Sequence, residues 1–257
     1  LGFRNEKSAG RQVTPLPPNA VSGYKSGMSI KGVAFDIDGT LYPNYRFYAR
    51  LVPALPGIFR ELIAMGKARD EMRSKPEVYV PNGLNAREPG VFYRVQAELA
   101  AKRLRRPAPE LRAFYEKKIY ARWQPIFSRV VTYRGSHECL VALKASGFKI
   151  GFLSDFPPED KLRRLGFDDL ADCVVCSEEV GRLKPHPDSF LALAAGLGLK
   201  PAEILYVGNS ARYDVVGAAG AGMKTALICR HPRRPGPGDF RFKRYSELLG
   251  WVLSGQR

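Results

Sequence analysis

The segment Ile30-Lys31-Gly32-Val33-Ala34-Phe35-Asp36-Ile37-Asp38-Gly39-Thr40 decides the fold. Its first six residues form a short apolar run of the kind that makes a buried strand. The run stops on two carboxylates, Asp36 and Asp38, where the chain is expected to leave the sheet. Two acids at that place can converge on a hard divalent cation, and one of them can attack an electrophile. Taken alone, the pair is equally compatible with turn or N-cap use of Asp and Gly.

Further along the chain, similar runs recur at Lys149–Leu153, Cys173–Cys176, Ile204–Val207 and Thr225–Cys229, so five strands are expected. Helical patterns fall between most of them, at about 136–146, 158–166, 187–198 and 211–221. Gly147, Gly166, Gly198 and Gly222 stand where C-terminal caps belong. Alternating strands and helices predict an α/β domain with a doubly wound parallel sheet, and ligands outside the carboxyl ends of the strands. Cys173-Val-Val-Cys176 has CxxC spacing but no partner pair, and reads as strand rather than zinc or redox site.

Residues 42–137 interrupt the alternation. Phe47, Leu51, Leu55, Ile58, Leu62 and Met65 trace one helical face; Phe92, Val95 and Leu99, then Leu111, Phe114, Tyr115, Ile119 and Trp123, trace two more. The block is expected to be an inserted α-helical cap, its first helix split by Pro53 and Pro56 and its Ser74–Gly90 stretch irregular. Residues 1–27, rich in Pro, Gly and Ser, read as a disordered N-terminal extension or expression remnant. Residues 28–41 and 138–257 make the α/β core.

The 257 residues have ordinary globular composition, with 45% hydrophobic and 26% charged residues, which excludes collagen-like and wholly disordered chains. The longest mostly apolar uncharged run, Ser189–Leu199, is shorter than the roughly 18 residues of a membrane span. Four cysteines are too sparse for a disulfide scaffold and fit a reducing, cytoplasmic location. The formal charge of +16 is concentrated: residues 42–137 carry nineteen Lys/Arg against eight acids. Such a block either steers an acidic substrate or is a solvated helix surface; without a binding motif it is weak evidence for nucleic acid. Oligomeric state is not readable.

The other strands end in groups that complement the acid pair: Ser154, then Lys184 in Gly181-Arg-Leu-Lys-Pro-His-Pro, then Gly208-Asn209-Ser210 with Asp214. In this order and spacing the chain resembles the haloacid dehalogenase (HAD) superfamily, whose motifs read strand-DxDGT, strand-S/T, a Lys and strand-GDxxxxD. The insertion is similar to that family's C1-type cap. The resemblance implies a magnesium-dependent phosphatase of small phosphorylated metabolites or nucleotides. Asp36 would attack phosphorus to form an aspartyl-phosphate, and Asp38 would protonate the leaving oxygen and later activate water. Asp38 would need a raised pKa in the substrate complex. Ser154 would hold the phosphoryl oxygens, Thr40 the loop around the nucleophile, and Lys184 would neutralise charge and orient Asp36.

The magnesium ligands implied are the Asp36 carboxylate, the Asp38 carbonyl, Asn209 and Asp214. Asn209 departs from the family's first acid of that motif and brings no charge, so weaker metal binding is expected. Asp155 follows Ser154 where Asn is usual; its carboxylate should turn away from a phosphate or contribute only its N–H. Asp38 argues for an oxygen leaving group, because hydrolytic dehalogenases lack that acid. Leu41-Tyr42-Pro43 is also similar to some pyrimidine nucleotidase-like members. The alternatives are a catalytically impaired phosphate-binding module and a sugar-phosphate phosphotransferase or mutase.

Overall fold

The computed structural model describes residues 29–54, 56–80 and 90–255. The expected extension over 1–27, Met28, Leu55 and most of the irregular stretch before Gly90 lie outside the described residues. Six parallel strands form one sheet: β1 (Gly32–Phe35), β2 (Lys149–Ser154), β3 (Cys173–Cys176), β4 (Ile204–Gly208), β5 (Lys224–Ile228) and β6 (Phe240–Phe242), in the order β3-β2-β1-β4-β5-β6. Ala34 stands opposite Gly151 on one side and Tyr206 on the other. The expectation of five strands is corrected to six. β6 has three residues with Arg241 at its centre, and it pairs at the edge with β5, so it lacks the apolar run of a central strand.

Between β1 and β2 come α1 (Asn44–Leu51), α2 (Phe59–Ser74), α3 (Pro76–Tyr79), α4 (Val91–Leu104), α5 (Ala108–Tyr115) and α6 (Ala121–Phe127), ahead of α7 (Ser136–Ala145). The rest of the chain adds α8 (Glu159–Leu165), α9 (Ser177–Val180), α10 (Pro187–Leu197), α11 (Val216–Gly220) and α12 (Tyr245–Ser254). The helix expected over 211–221 is present, with a wide π-helical first turn at Ala211–Val215 running directly into α11.

Period-two alternation sends strand side chains to two cores. Val33, Phe35, Ile150, Phe152, Leu205 and Val207 pack with Leu140 and Leu143 of α7 and Leu248 of α12. Ala34, Leu153 and Tyr206 pack on the other face with Phe190, Leu193 and Leu197 of α10. This is an α/β fold with helices on both faces and an inserted helical cap.

The stripe expected across Phe47 to Met65 divides. α1 stops at Leu51, a tight turn spans Val52–Ala54, and α2 begins at Phe59, so the prolines separate two helices. Phe47 and Leu51 bury with Phe35 and Phe127 against the sheet. Met65 buries instead with Phe92, Leu99, Leu111 and Ile119 in a core inside the insertion. The roots of the insertion therefore belong to the sheet core, while its middle has a core of its own. Strand order reverses between β1 and β4, and the crevice at their carboxyl ends is the place where such sheets bind ligands.

Candidate active site

β1 delivers Asp36 to that crevice, where its N–H donates to the Val207 carbonyl at 2.9 Å. The following turn needs Gly39, whose φ is +89°; a Cβ there would lie 2.0 Å from Asn209 Nδ2 and 2.6 Å from Asn44 Nδ2. Thr40 Oγ1 donates to Asp36 Oδ2 at 2.8 Å, and the Thr40 carbonyl accepts the Tyr245 hydroxyl at 2.7 Å. The loop after β1 is thus tied to both β4 and α12.

β2 ends in Ser154, whose hydroxyl donates to Asp38 Oδ2 at 3.2 Å and accepts the Phe156 N–H at 3.1 Å. Asp38 is also held by Lys161 Nζ, 2.5 Å from Oδ2, and by the Tyr42 hydroxyl at Oδ1. β4 ends in Gly208, where a Cβ would fall 2.3 Å from the Asp214 Cβ. Asp214 Oδ2 accepts the N–H groups of Asn209 and Ser210 at 3.1 and 2.9 Å, which shapes the turn. Lys184 Nζ lies 2.6 Å from Asp36 Oδ1 and 2.7 Å from Asp214 Oδ1. Asp36, Asp38, Asp155, Lys184, Asn209 and Asp214 all line one polar cavity of about 310 Å³.

The charges are unevenly set. Burial, reinforced by the Asp214 and Asp38 carboxylates and opposed by Lys184, pushes the Asp36 carboxyl up to about 7. Burial also favours neutral Asp38, but the Lys161 charge and the hydrogen bonds from Lys161 and Tyr42 outweigh it and hold this carboxyl below its ordinary value. That direction is opposite to the rise expected of Asp38 in a substrate complex. Burial opposes the Lys184 charge, yet Asp214 and Asp36 carry its pKa well above the usual lysine value.

Asp155 lines the cavity with both carboxylate oxygens engaged: Oδ2 pairs with Arg73 Nη2 at 2.9 Å and Oδ1 accepts the Lys184 N–H at 3.1 Å. Its carboxylate joins α2 to the core. Lys161, Tyr42, Arg69 and Arg73 escaped the sequence reading as site residues. For Lys161 a signal existed, since it sits beside Leu162 and in phase with Leu165 on the inward stripe of α8, where a cation needs a partner. Arg73 carried none, because nothing local distinguishes it from the other cations of the insertion.

The donors suit a hard cation. Among the described residues no three His, Cys, Asp or Glu side chains converge as a metal cage. Asp36, Asp38 and Asn209 nevertheless line the same polar cavity, and they could offer a carboxylate, a backbone carbonyl and an amide oxygen. Magnesium commonly takes one or two carboxylates and fills its octahedron with water and substrate phosphate, so this set fits it. Asp214, expected as a fourth ligand, has one oxygen on Lys184 and the other on two backbone N–H groups.

A doubly wound sheet with paired aspartates after its first strand, a lysine clamp from a neighbouring loop and a helical cap defines a capped, Rossmann-like hydrolase. The chain belongs to the haloacid dehalogenase-like hydrolases, whose family model matches residues 30–222. It is 33% identical to glyceraldehyde 3-phosphate phosphatase of Methanopyrus kandleri, over 87% of this chain and 97% of that protein. It is 27% identical to N-acetylmuramic acid 6-phosphate phosphatase of Pseudomonas aeruginosa, over 78% of this chain and 82% of that one. The crystal structure of a HAD phosphatase from Thermococcus onnurineus is similar, with TM-score 0.56 and 25% identity over 89% of this chain and all of that one.

Proposed function

We propose that this protein hydrolyses small phosphomonoesters through an aspartyl-phosphate on Asp36, with Mg2+ as cofactor. That it is a phosphatase rests on its relatives: among the curated proteins it resembles are phosphatases of glyceraldehyde 3-phosphate, N-acetylmuramic acid 6-phosphate and phosphoglycolate, and pyrophosphatases. The observation that carries the mechanism is the clamp of Lys184 on Asp36 Oδ1 at 2.6 Å, with Thr40 on Oδ2 at 2.8 Å. It fixes the carboxylate at the crevice floor, as in-line attack requires.

Magnesium bound by Asp36, the Asp38 carbonyl and Asn209 supplies charge that offsets repulsion between carboxylate and phosphate and favours the ionised form of Asp36. Asp214 acts through Lys184 and the turn after β4. We assign the Ser154 hydroxyl, now 3.2 Å from Asp38 Oδ2, to the phosphoryl group once Asp38 turns to the ester oxygen. A phosphate dianion beside Asp38 offsets the Lys161 charge and raises the carboxyl, so that it donates a proton to the departing alkoxide and recovers one from water. We assign the inserted helices as a C1-type cap. Phosphate release from ethyl phosphate and glycerol 1-phosphate, with and without magnesium, tests the reading. Release that needs both Mg2+ and Asp36 supports it. Transfer of phosphate to a second sugar without release favours a mutase, and binding without either reaction an impaired module.

A further inference from the structure

We infer that the cavity beside Asp38 receives an apolar, ring-sized group, so that the substrates are phosphomonoesters of apolar, aromatic-bearing alcohols; this deepens the hydrolase reading above and rests on it. Two cavities adjoin and share Asp38, Asn44 and Phe156. The polar one holds the nucleophile and the lysine clamp. The other, of about 390 Å³, opens on the far side of Asp38, where the leaving group of an ester attacked by Asp36 must extend.

Its walls are rings. Tyr42 and Phe156 come from the core side, and Phe47, Trp123 and Phe127 from α1 and α6. Phe47 stacks on Phe127 with centroids 5.1 Å apart and meets Trp123 edge-on at 5.7 Å, while Trp123 meets Phe156 edge-on at 5.3 Å. Rings that lock one another present a preformed surface to a further ring. An apolar cavity of about 150 Å³ is enough for benzene, so this one admits a substituted ring. At the mouth, Tyr48, Val52, Phe59 and Ile63 are large apolar side chains 58%, 57%, 58% and 44% exposed.

Polar groups are few along that lining: Asp38, Lys161, Tyr42 and Tyr120 are engaged, while Trp123 Nε1 and Gln124 Oε1 are buried there without a hydrogen-bond partner. Among the described residues the lining's only charged side chains are Asp38 and Lys161, which pair with each other at the end nearest the phosphoryl site. The Tyr42 and Tyr120 hydroxyls donate to Asp38 and Glu178. A polyhydroxylated leaving group would exchange many water contacts for the Trp123 indole N–H and the Gln124 amide oxygen, whereas a ring with at most one polar substituent gains by leaving water.

The test compares 2-phenylethyl phosphate with ethyl phosphate, esters of alcohols of similar acidity, using magnesium-loaded wild type, Ile63→Glu and, for binding by calorimetry, Asp36→Asn. The expected kcat/KM ratio in favour of the phenyl ester is about 30-fold, the order expected for burying one ring. Ile63→Glu, with a carboxylate at the mouth, lowers that ratio. A wild-type ratio under about tenfold, with both esters turned over, overturns the inference and leaves the hydrolase reading standing. If neither ester turns over but Asp36→Asn binds the phenyl ester about tenfold more tightly, the pocket assignment holds and the hydrolase reading fails. Neither turnover nor preferential binding overturns both.

Discussion

The two carboxylate oxygens of Asp36, the nucleophile of the proposed mechanism, are each held by a different donor, Lys184 and Thr40. Asp36→Asn removes the nucleophile and should lower kcat by about a thousandfold or more in steady-state phosphate release. Asp38→Asn removes proton transfer and should cost about 10²–10⁴-fold, with the larger loss on esters of poorly acidic alcohols. Lys161 belongs with Asp38: it is buried, 2.5 Å from Oδ2, and depresses that carboxyl. In Lys161→Met the Asp38 pKa rises, so the limb of the kcat/KM profile that reports its ionisation moves to higher pH. An unmoved limb would show that Lys161 serves only packing. Asn209→Asp restores a charged ligand and should lower the half-saturating Mg2+ concentration by about tenfold, measured by metal titration of activity.

The elements place these side chains by leaving no room for alternatives. Gly208 is the clearest case, because a Cβ would lie 2.3 Å from the Asp214 Cβ. Gly208→Ala should displace Asp214, loosen Lys184 and reduce turnover while the far-ultraviolet circular dichroism stays native. The strand ends were readable from sequence because a buried strand is a short apolar run and the first polar residue after it must face the crevice. That logic put Asp36, Ser154 and Asn209 at strand ends, while Asp214 came only with the family motif, and it brought Asp155 to the rim without revealing its turn toward Arg73. β6 and α12 escaped, since three edge residues and a helix after a Pro- and Gly-rich stretch have no such punctuation. The apolar stripe from Phe47 to Met65 was visible, but its division between two cores depends on tertiary packing alone.

At the scale of the whole molecule, the insertion is tied to the sheet by charges. Arg69 is buried against Glu178, Arg73 pairs with Asp155 at 2.9 Å, and Arg182 pairs with Glu77 at 2.5 Å. Part of the basic excess of the insertion is therefore structural, and only the remainder is available to steer an anion. Arg69→Met leaves Glu178 buried without its cation and should lower unfolding stability by about 3–5 kcal/mol in urea. Burial favours neutral Asp155, but Lys184, Arg73 and Arg69 outweigh it and hold its pKa below the carboxylate norm. Its contribution to stability is thus complete above the unfolded carboxylate pKa of about 3.9 and is lost as pH falls through the lower folded value. The midpoint of thermal unfolding should fall more steeply below pH 4 in wild type than in Asp155→Asn. No helix among the described residues is long and apolar enough to cross a membrane. The central claim, covalent catalysis by Asp36, is tested most directly by single-turnover reaction with 32P-labelled ethyl phosphate and Mg2+, followed by acid quench. The account predicts an acid-stable, hydroxylamine-labile label on Asp36 in wild type that is absent from Asp36→Asn. Phosphate release by Asp36→Asn at the wild-type rate, or a label on any other residue, would contradict it.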